Sequence, residues 1–234
     1  MICDLYGTLL KVLTPETGDE WQSGWETLML GLPFVTLTEF NEHCRCAVES
    51  ENARRRQQGE AFPEVNWLEI LAAMPWSPES QPFFAEKAKG LSRLHAACSR
   101  KCIAMPGALE ALSQLRAGGM LTGIASNAQD YTREEFSGAG FHIGDFSQDI
   151  TFLSGERGFA KPSPRVFAHL SAALAARGIS PQQTLMTGDR PDNDIAPASA
   201  AGWQTWLLTE SPGDGRTGGT WEQLRAFLLP PRHQ

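Results

Sequence analysis

The sequence predicts an α/β protein: a Rossmann-like parallel sheet with helices on both faces, and four further helices inserted after the first strand. From residue 103 onward, short apolar runs alternate with amphipathic helical segments, which is typical of parallel strands joined by right-handed crossovers. A short apolar run at residues 1–4 fits as another strand of that sheet. Residues 14–102 show helical periodicity and no convincing strand, which indicates an insertion.

The first predicted strand ends at Asp4 and leads into a turn through Tyr6, Gly7 and Thr8. It is short because the chain starts inside it, so we leave open that the native N-terminus is longer. Its apolar character up to Asp4 is typical of a buried parallel strand.

Helices of the insertion are predicted over residues 17–30, 36–58, 65–74 and 80–98. The second has the clearest boundaries, because Thr36 and Glu39 have the spacing of a capping box and Gly59 follows the last turn. Helices of this length with one apolar stripe are expected to form a small bundle. Its tryptophans are expected in the bundle core: Trp21, Trp25, Trp67 and Trp76.

The second half of the chain supplies the other elements of the sheet. Its strands are predicted over residues 120–125, 149–153, 184–187 and 203–208. Its helices are predicted over residues 107–115, 129–137, 164–176, 194–201 and 221–229. Pro197 falls in the first turn of the fourth of these helices, where proline is tolerated.

Composition excludes several classes of protein. Lys and Arg total 20 against 27 Asp and Glu, a formal net charge of −7 over 234 residues. Such a chain is a poor binder of nucleic acid or of an anionic membrane. No apolar run approaches the ~18 residues that cross a bilayer, and five cysteines without a disulfide-scaffold pattern favour a reducing cytoplasm. We therefore expect a globular cytoplasmic enzyme, and the counts leave monomer and homodimer open.

Three predicted strands end in side chains capable of chemistry: Asp4, then Ser126 with Asn127, then Asp189 with Asp194 five residues on. In open parallel sheets, ligands bind outside the carboxyl ends of the strands, so these groups are expected at one rim. Lys161 precedes a predicted helix start and is expected to reach the same rim. Each residue alone has an ordinary explanation as a turn, cap or solvated side chain, and only the joint pattern predicts a site.

Four segments resemble, in order and spacing, the signature motifs of the haloacid dehalogenase-like (HAD) hydrolase superfamily: Asp4–Leu9, Ser126–Asn127, Lys161–Pro164 and Gly188–Asp194. The helical insertion between the first two resembles the cap domain of that superfamily. The resemblance implies a core domain of residues 1–13 and 103–234 and a four-helix cap of residues 14–102. It also implies a hydrolase that acts on a small molecule.

The resemblance implies a role for each matching residue. Asp4 would be the nucleophile and, with Asp189, a direct ligand of Mg²⁺, while Asp194 would bind the ion directly or through water. The backbone carbonyl of Tyr6 would complete the protein ligands. Lys161 would screen the nucleophile and hold the phosphoryl group of the substrate.

Further residues are expected to bind the substrate. Ser126, a catalytic candidate together with Asp4 and Lys161, would donate its hydroxyl to a phosphoryl oxygen, with Asn127 and Thr8 beside it. Arg54 begins a run of three arginines in the predicted cap. Such a run is most often a solvated helix face, and recognition of an anionic substrate is the functional alternative.

Tyr6 leaves the reaction open. Phosphatases of this superfamily usually carry a second aspartate at this position, which protonates the leaving group and then activates water. A phenol with an ordinary pKa near ~10 is a poor base at neutral pH. Asp-Leu-Tyr-Gly-Thr-Leu is also the form typical of 2-haloacid dehalogenases, which are metal-free and whose leaving halide needs no proton.

Asp189 favours the phosphatase branch, because three clustered carboxylates without a cation would force at least one to be protonated. The Mg²⁺-dependent phosphatase is therefore the leading hypothesis, and slow turnover is expected from the tyrosine. A metal-independent 2-haloacid dehalogenase is the second hypothesis, and a weakly active or non-catalytic ligand-binding relative is the third.

Overall fold

The computed structural model describes residues 1–15, 19–74 and 81–229. Its strands are β1 (Ile2–Cys3), β2 (Leu10–Leu13), β3 (Lys101–Ala104), β4 (Gly123–Ser126), β5 (Thr151–Leu153), β6 (Leu185–Gly188), β7 (Gln204–Leu208) and β8 (Gly218–Gly219). Its helices are α1 (Glu20–Leu28), α2 (Leu37–Gln57), α3 (Trp67–Ala72), α4 (Gln81–Ser99), α5 (Ala108–Ala117), α6 (Thr132–Gly138), α7 (Pro164–Ala176), α8 (Ala196–Ala200) and α9 (Trp221–Leu228).

Six strands form one parallel sheet in the order β5-β4-β1-β6-β7-β8. This confirms the predicted α/β fold with a parallel sheet. The strand β1 lies between β4 and β6, with Ile2 opposite Gly123 on one side and Met186 on the other. The first residues of the chain therefore occupy the centre of the sheet, and Asp4 leaves from its middle.

Each face of the sheet buries its own apolar cluster, because successive side chains of a strand point to opposite faces. Cys3 and Ile124 face a cluster that includes residues of α5 and α9. Ile2 and Ala125 face a second cluster that includes residues of α7 and α8. Strands buried on both faces explain why their sequences are continuous apolar runs rather than alternating ones.

The four helices of the insertion lie close to their predicted positions. The capping box of α2 is confirmed: the Thr36 hydroxyl accepts from the Glu39 backbone amide, and the Glu39 carboxylate accepts from that of Thr36. Trp21 and Trp25 are buried in a core shared by α1 to α4, as expected, and Trp67 packs against it. The predicted helix starts at residues 17 and 80, and Trp76, lie outside the described residues.

Two short strands were not predicted. The strands β2 and β3 form an antiparallel ribbon, with Leu10 opposite Ala104 and Leu13 opposite Lys101, where the chain leaves and re-enters the sheet domain. The prediction of no convincing strand in residues 14–102 is therefore wrong at Lys101 and Cys102. Each strand of this ribbon has four residues and a partner that is distant in the sequence, so local periodicity gives little indication of it. The strand β8 was also not predicted, because its two glycines have low strand propensity.

The turn after β6 also differs from the prediction. A helix was expected from Asp194, whereas residues 191–195 form a π-helical turn and the α-helix begins at Ala196. Asp194 is thus held in a wider turn of the backbone. Within the described residues, none of the helices is both long and apolar enough to cross a bilayer.

We expect Thr36→Ala to lower the free energy of unfolding by about 1 kcal/mol, because the first turn of α2 loses the hydroxyl that caps it. Thr27→Ala is the matched control, since the exposed Thr27 hydroxyl only donates to the Ser23 carbonyl within α1. Urea unfolding followed by tryptophan fluorescence measures both variants. Equal losses in the two variants would contradict the capping role.

Candidate active site

Two central strands deliver the acidic residues of the site. Asp4 follows β1, and its backbone amide donates to the Thr187 carbonyl on β6 at 2.9 Å. Asp189 follows β6 directly, and Asp194 lies in the π-helical turn beyond it. One carboxylate oxygen from each of Asp4, Asp189 and Asp194 lies within 4.8 Å of the other two. The structure thus places Asp4 beside two aspartates that lie far from it in the sequence.

A single lysine joins two of these carboxylates. The Lys161 Nζ atom donates to Asp4 Oδ1 at 2.7 Å and to Asp194 Oδ1 at 2.5 Å. Lys161 is 3% exposed, Asp4 7% and Asp194 1%, so the pairs are shielded from water. Buried charges at this distance attract strongly, and removing one partner leaves a costly unpaired charge.

Two glycines allow the acidic residues to approach so closely. Gly7 has φ +82°, and a Cβ atom built there would overlap the Asp189 carboxylate. A Cβ atom at Gly188 would overlap the Asp194 side chain. Glycine is needed at Gly7 both for its left-handed backbone and for the missing side chain.

The site carries more negative than positive charge. Burial raises the pKa of the Asp189 carboxyl, and the charges of Asp4 and Asp194 raise it further. Burial also raises the pKa of Asp194, although the neighbouring Lys161 acts in the opposite direction. Burial by itself would lower the pKa of Lys161, but the carboxylates of Asp4 and Asp194 more than offset it and raise it. A cation at this cluster would relieve the repulsion among the three carboxylates.

Asn127 positions the lysine. Its Nδ2 atom donates to the Lys161 carbonyl at 3.0 Å, and its Oδ1 atom accepts from the Lys161 amide at 2.8 Å. Asn127 was predicted to bind substrate, whereas its side-chain amide binds the Lys161 backbone here. The strand β4 and the loop before α7 are thereby held together at the rim of the sheet.

Two predicted hydroxyl groups are buried at the ends of the central strands. Thr8 Oγ1 lies 3.4 Å from Asp4 Oδ2 and 3.3 Å from Asp189 Oδ1, so it bridges two of the carboxylates. Ser126, at the end of β4, is 1% exposed, and its hydroxyl has no hydrogen-bond partner among the described residues. A buried hydroxyl without a partner is rare in folded proteins, which is consistent with a group that meets a ligand.

Tyr6 is held away from acid–base chemistry. Its hydroxyl is 2.7 Å from Thr132 Oγ1 and donates to Glu135 Oε2 at 2.5 Å. The Arg100 guanidinium lies 4.9 Å from the centre of the Tyr6 ring and donates to Glu135 Oε1 at 2.6 Å. Burial raises the pKa of the Tyr6 phenol, so even less of it than of a free tyrosine is deprotonated and able to accept a proton at neutral pH. Arg100 and Glu135 were not predicted as site residues, because neither belongs to a motif.

A family model described as haloacid dehalogenase-like hydrolase matches residues 1–202. The chain belongs to this family. A phosphoserine phosphatase of Thermus thermophilus is 34% identical to this hydrolase over 118 residues, which cover 50% of the chain and 45% of that protein. The matched stretch is thus less than half the length of this curated relative.

Solved structures with the same fold include both phosphatases and dehalogenases. A 2-haloacid dehalogenase of Pseudomonas syringae matches with a TM-score of 0.57 at 18% identity, covering 97% of this chain and 98% of that one. A HAD phosphatase of Thermococcus onnurineus matches with a TM-score of 0.52 at 18% identity, covering 99% and 98%. Identities this low show the fold alone, so they do not distinguish between the two reactions.

Arg54 of this hydrolase lies on the surface of α2. Its guanidinium donates to both carboxylate oxygens of Glu51, at 2.7 and 2.6 Å, and its side chain is 54% exposed. This is the solvated helix face that was weighed as the ordinary explanation. Its neighbour Arg55 is partly buried and turns toward the loop before Lys161.

We expect Gly7→Ala to abolish hydrolytic activity, because its new methyl group displaces the Asp189 carboxylate. Gly119→Ala is the matched control: Gly119 has φ +88°, and a Cβ atom there meets nothing within 4 Å. Both variants should lose about 1 kcal/mol of unfolding free energy from the left-handed backbone. Urea unfolding and a turnover assay measure the two effects separately, and an active Gly7→Ala variant would contradict the close-approach argument.

Proposed function

We propose that this protein is a Mg²⁺-dependent phosphatase that acts on a small phosphorylated molecule through an aspartyl-phosphate at Asp4. The observation that carries the proposal is the cluster of three carboxylates around one ammonium group. Its surplus of negative charge is suited to a divalent cation rather than to a metal-free site. The phosphoserine phosphatase relative supports the same class of reaction.

The donor set fits magnesium. Carboxylate and carbonyl oxygens are hard ligands, which Mg²⁺ prefers, and no thiol or imidazole belongs to the cluster. Asp4 and Asp189 would bind the ion directly, Asp194 directly or through water, and the Tyr6 backbone carbonyl would complete the protein ligands. When bound, Mg²⁺ supplies positive charge that stabilises the charge on the transferring phosphoryl group.

The reaction then follows from the residues around Asp4. A carboxylate oxygen of Asp4 attacks phosphorus, and the bond from phosphorus to the leaving-group oxygen breaks, the leaving group departing as an oxyanion that takes its proton from solvent. Water next attacks the phosphorus of the aspartyl-phosphate and gives its proton to solvent, which releases phosphate and restores the carboxylate. Lys161 stabilises Asp4 and the phosphoryl oxygens, while the hydroxyls of Ser126 and Thr8 donate to the same group.

We also propose that the helical insertion, residues 14–102, is a cap that shields the site and contacts the rest of the substrate. Gln129, three residues after Ser126, donates to Glu64 Oε1 at 3.1 Å and to the Val65 carbonyl at 2.9 Å. The Ser154 hydroxyl donates to Glu64 Oε2 at 2.7 Å. These contacts support the proposal, because they join the insertion to loops at the rim where Asp4 lies.

A dehalogenase is the second candidate, and Tyr6 is the observation that favours it. Displacement of halide from carbon by Asp4 requires no proton for the leaving group, so a phenol locked against Glu135 costs nothing in that first step. The partly buried Asp189 weighs against it, since Lys161 pairs with Asp4 and Asp194, and none of the described residues forms an ion pair with Asp189.

A paired assay separates these functions. We expect Mg²⁺-dependent phosphate release from an activated phosphomonoester, lost in Asp4→Asn, together with a rise in melting temperature on adding Mg²⁺. Asp192→Asn is the control, because Asp192 is exposed and its ion-pair partner among the described residues is Arg190. Halide release from a 2-haloacid without metal would instead identify the dehalogenase. No release of phosphate or of halide over a broad substrate panel would indicate a ligand-binding relative.

We expect Tyr6→Asp to raise phosphatase turnover by about 10² or more, the usual contribution of a general acid–base group. The parent should show a burst of leaving group followed by a slow phase, because no side chain at position 6 activates water for the second step. Tyr6→Phe removes the hydroxyl without adding a base and should keep the slow phase. Stopped-flow detection of the leaving group measures all three proteins, and equal rates in the two variants would refute this account of Tyr6.

A further inference from the structure

A cavity of about 370 Å³ lies between the end of α2 and the loop that leads to Lys161. Three arginines line it: Arg55 from α2, Arg157 from the loop, and Arg165 from the first turn of α7. None of its lining residues belongs to the acidic cluster or contacts substrate in the proposed reaction. The cavity is thus a separate feature that the hydrolytic mechanism does not use.

The charges around this cavity do not cancel. Arg55 Nε is 2.7 Å from Glu51 Oε1, and Arg165 pairs with Glu60. In the part of the chain that the structure describes, Arg157 has no ion-pair partner and is exposed. The residues that line the cavity include three arginines and one glutamate, Glu60, although the protein as a whole has a net charge of −7. An excess positive charge beside a cavity favours an anion.

Two of the three arginines, Arg55 and Arg165, contact other residues of the protein that hold them in place. The Arg165 guanidinium lies 4.0 Å from the centre of the Phe159 ring, a stacking contact that orients its plane. A Cβ atom at Gly158 would lie 2.8 Å from Arg55 Nη1, so the guanidinium lies against the loop backbone at a glycine with φ +77°. Ordered guanidinium groups bind oxyanions with a smaller loss of side-chain entropy than free ones do.

The cavity also spans the two parts of the molecule. The Gly158 carbonyl accepts from the Glu64 amide at 3.1 Å, and the Ala160 amide donates to the Phe62 carbonyl at 3.0 Å. The loop that carries Arg157 is therefore bound to the insertion on one side and continues into Lys161 on the other. A ligand in this cavity would contact the insertion and the lysine loop together.

We propose that this cavity is a binding site for an oxyanion, the phosphate or carboxylate group of a small molecule. Arg157 supplies a charge that no carboxylate among the described residues pairs with, and Arg55 and Arg165 supply further donors. Guanidinium groups are suited to this ligand, because their paired N–H groups match the oxygens of phosphate and carboxylate. The anion is either a distal group of the substrate or a separate small molecule.

Calorimetric titration with inorganic phosphate tests the site. Arg157→Ala removes the unpaired guanidinium. Arg56→Ala is the matched control, since Arg56 is an exposed arginine in the last turn of α2, next to Arg55, and does not line the cavity. Any phosphate binding at the acidic cluster should be the same in the parent and in both variants. We expect Arg157→Ala to weaken phosphate binding at the cavity about tenfold or more, the effect of one lost charge-assisted hydrogen bond. Arg56→Ala should change it by less than about twofold.

A kinetic arm, which rests on the proposed phosphatase activity, distinguishes the two sources of the anion. If the site binds a distal anionic group of the substrate, Arg157→Ala should raise KM for a phosphomonoester with a second anionic group but not for para-nitrophenyl phosphate. If the ligand is a separate molecule, both KM values should stay unchanged while the calorimetric loss remains. Identical phosphate titrations for the parent, Arg157→Ala and Arg56→Ala would overturn the proposal, whatever the enzyme hydrolyses.

Discussion

The buried ion pairs of Lys161 with Asp4 and Asp194 are the interaction on which the site depends. Three carboxylates within 4.8 Å would repel one another in a region shielded from water, and one ammonium group offsets only part of that repulsion. The remaining negative charge is what makes a divalent cation chemically reasonable here. The Lys161 ammonium group beside Asp4 could also stabilise the negative charge that develops during the reaction.

The position of Asp4 follows from the topology of the sheet. The strand β1 has only two residues, yet it pairs with β4 on one side and β6 on the other, so Asp4 emerges between the ends of both neighbours. Asp189 and Ser126 are the residues at or beyond those ends. The short strand is stabilised from both sides and by apolar clusters on both faces, which explains how so few residues can fix a buried carboxylate.

The insertion is joined to the loops that carry the site rather than to the sheet itself. Glu64 accepts hydrogen bonds from Gln129 and Ser154, and the Ser92 hydroxyl donates to Asp130 at 2.8 Å. Arg100, at the end of α4, contacts Tyr6 two residues after Asp4. Movement of the insertion would therefore also move the loops after β4 and β5 at the rim of the sheet, because hydrogen bonds join them to it.

The alternation of strands and helices, the helical insertion and the four motifs could be predicted from the sequence, because they depend on local periodicity and on residues close along the chain. Asp4, Lys161, Asp189 and Asp194 were predicted to meet, and they do. Three contacts are seen only once the chain is folded: Asn127 binds the Lys161 backbone, the Tyr6 hydroxyl donates to Glu135, and Arg55 rather than Arg54 turns toward the loop before Lys161. Each of these outcomes depends on a partner far along the chain or on which side of a helix faces another element, and neither is encoded in the spacing of neighbouring residues.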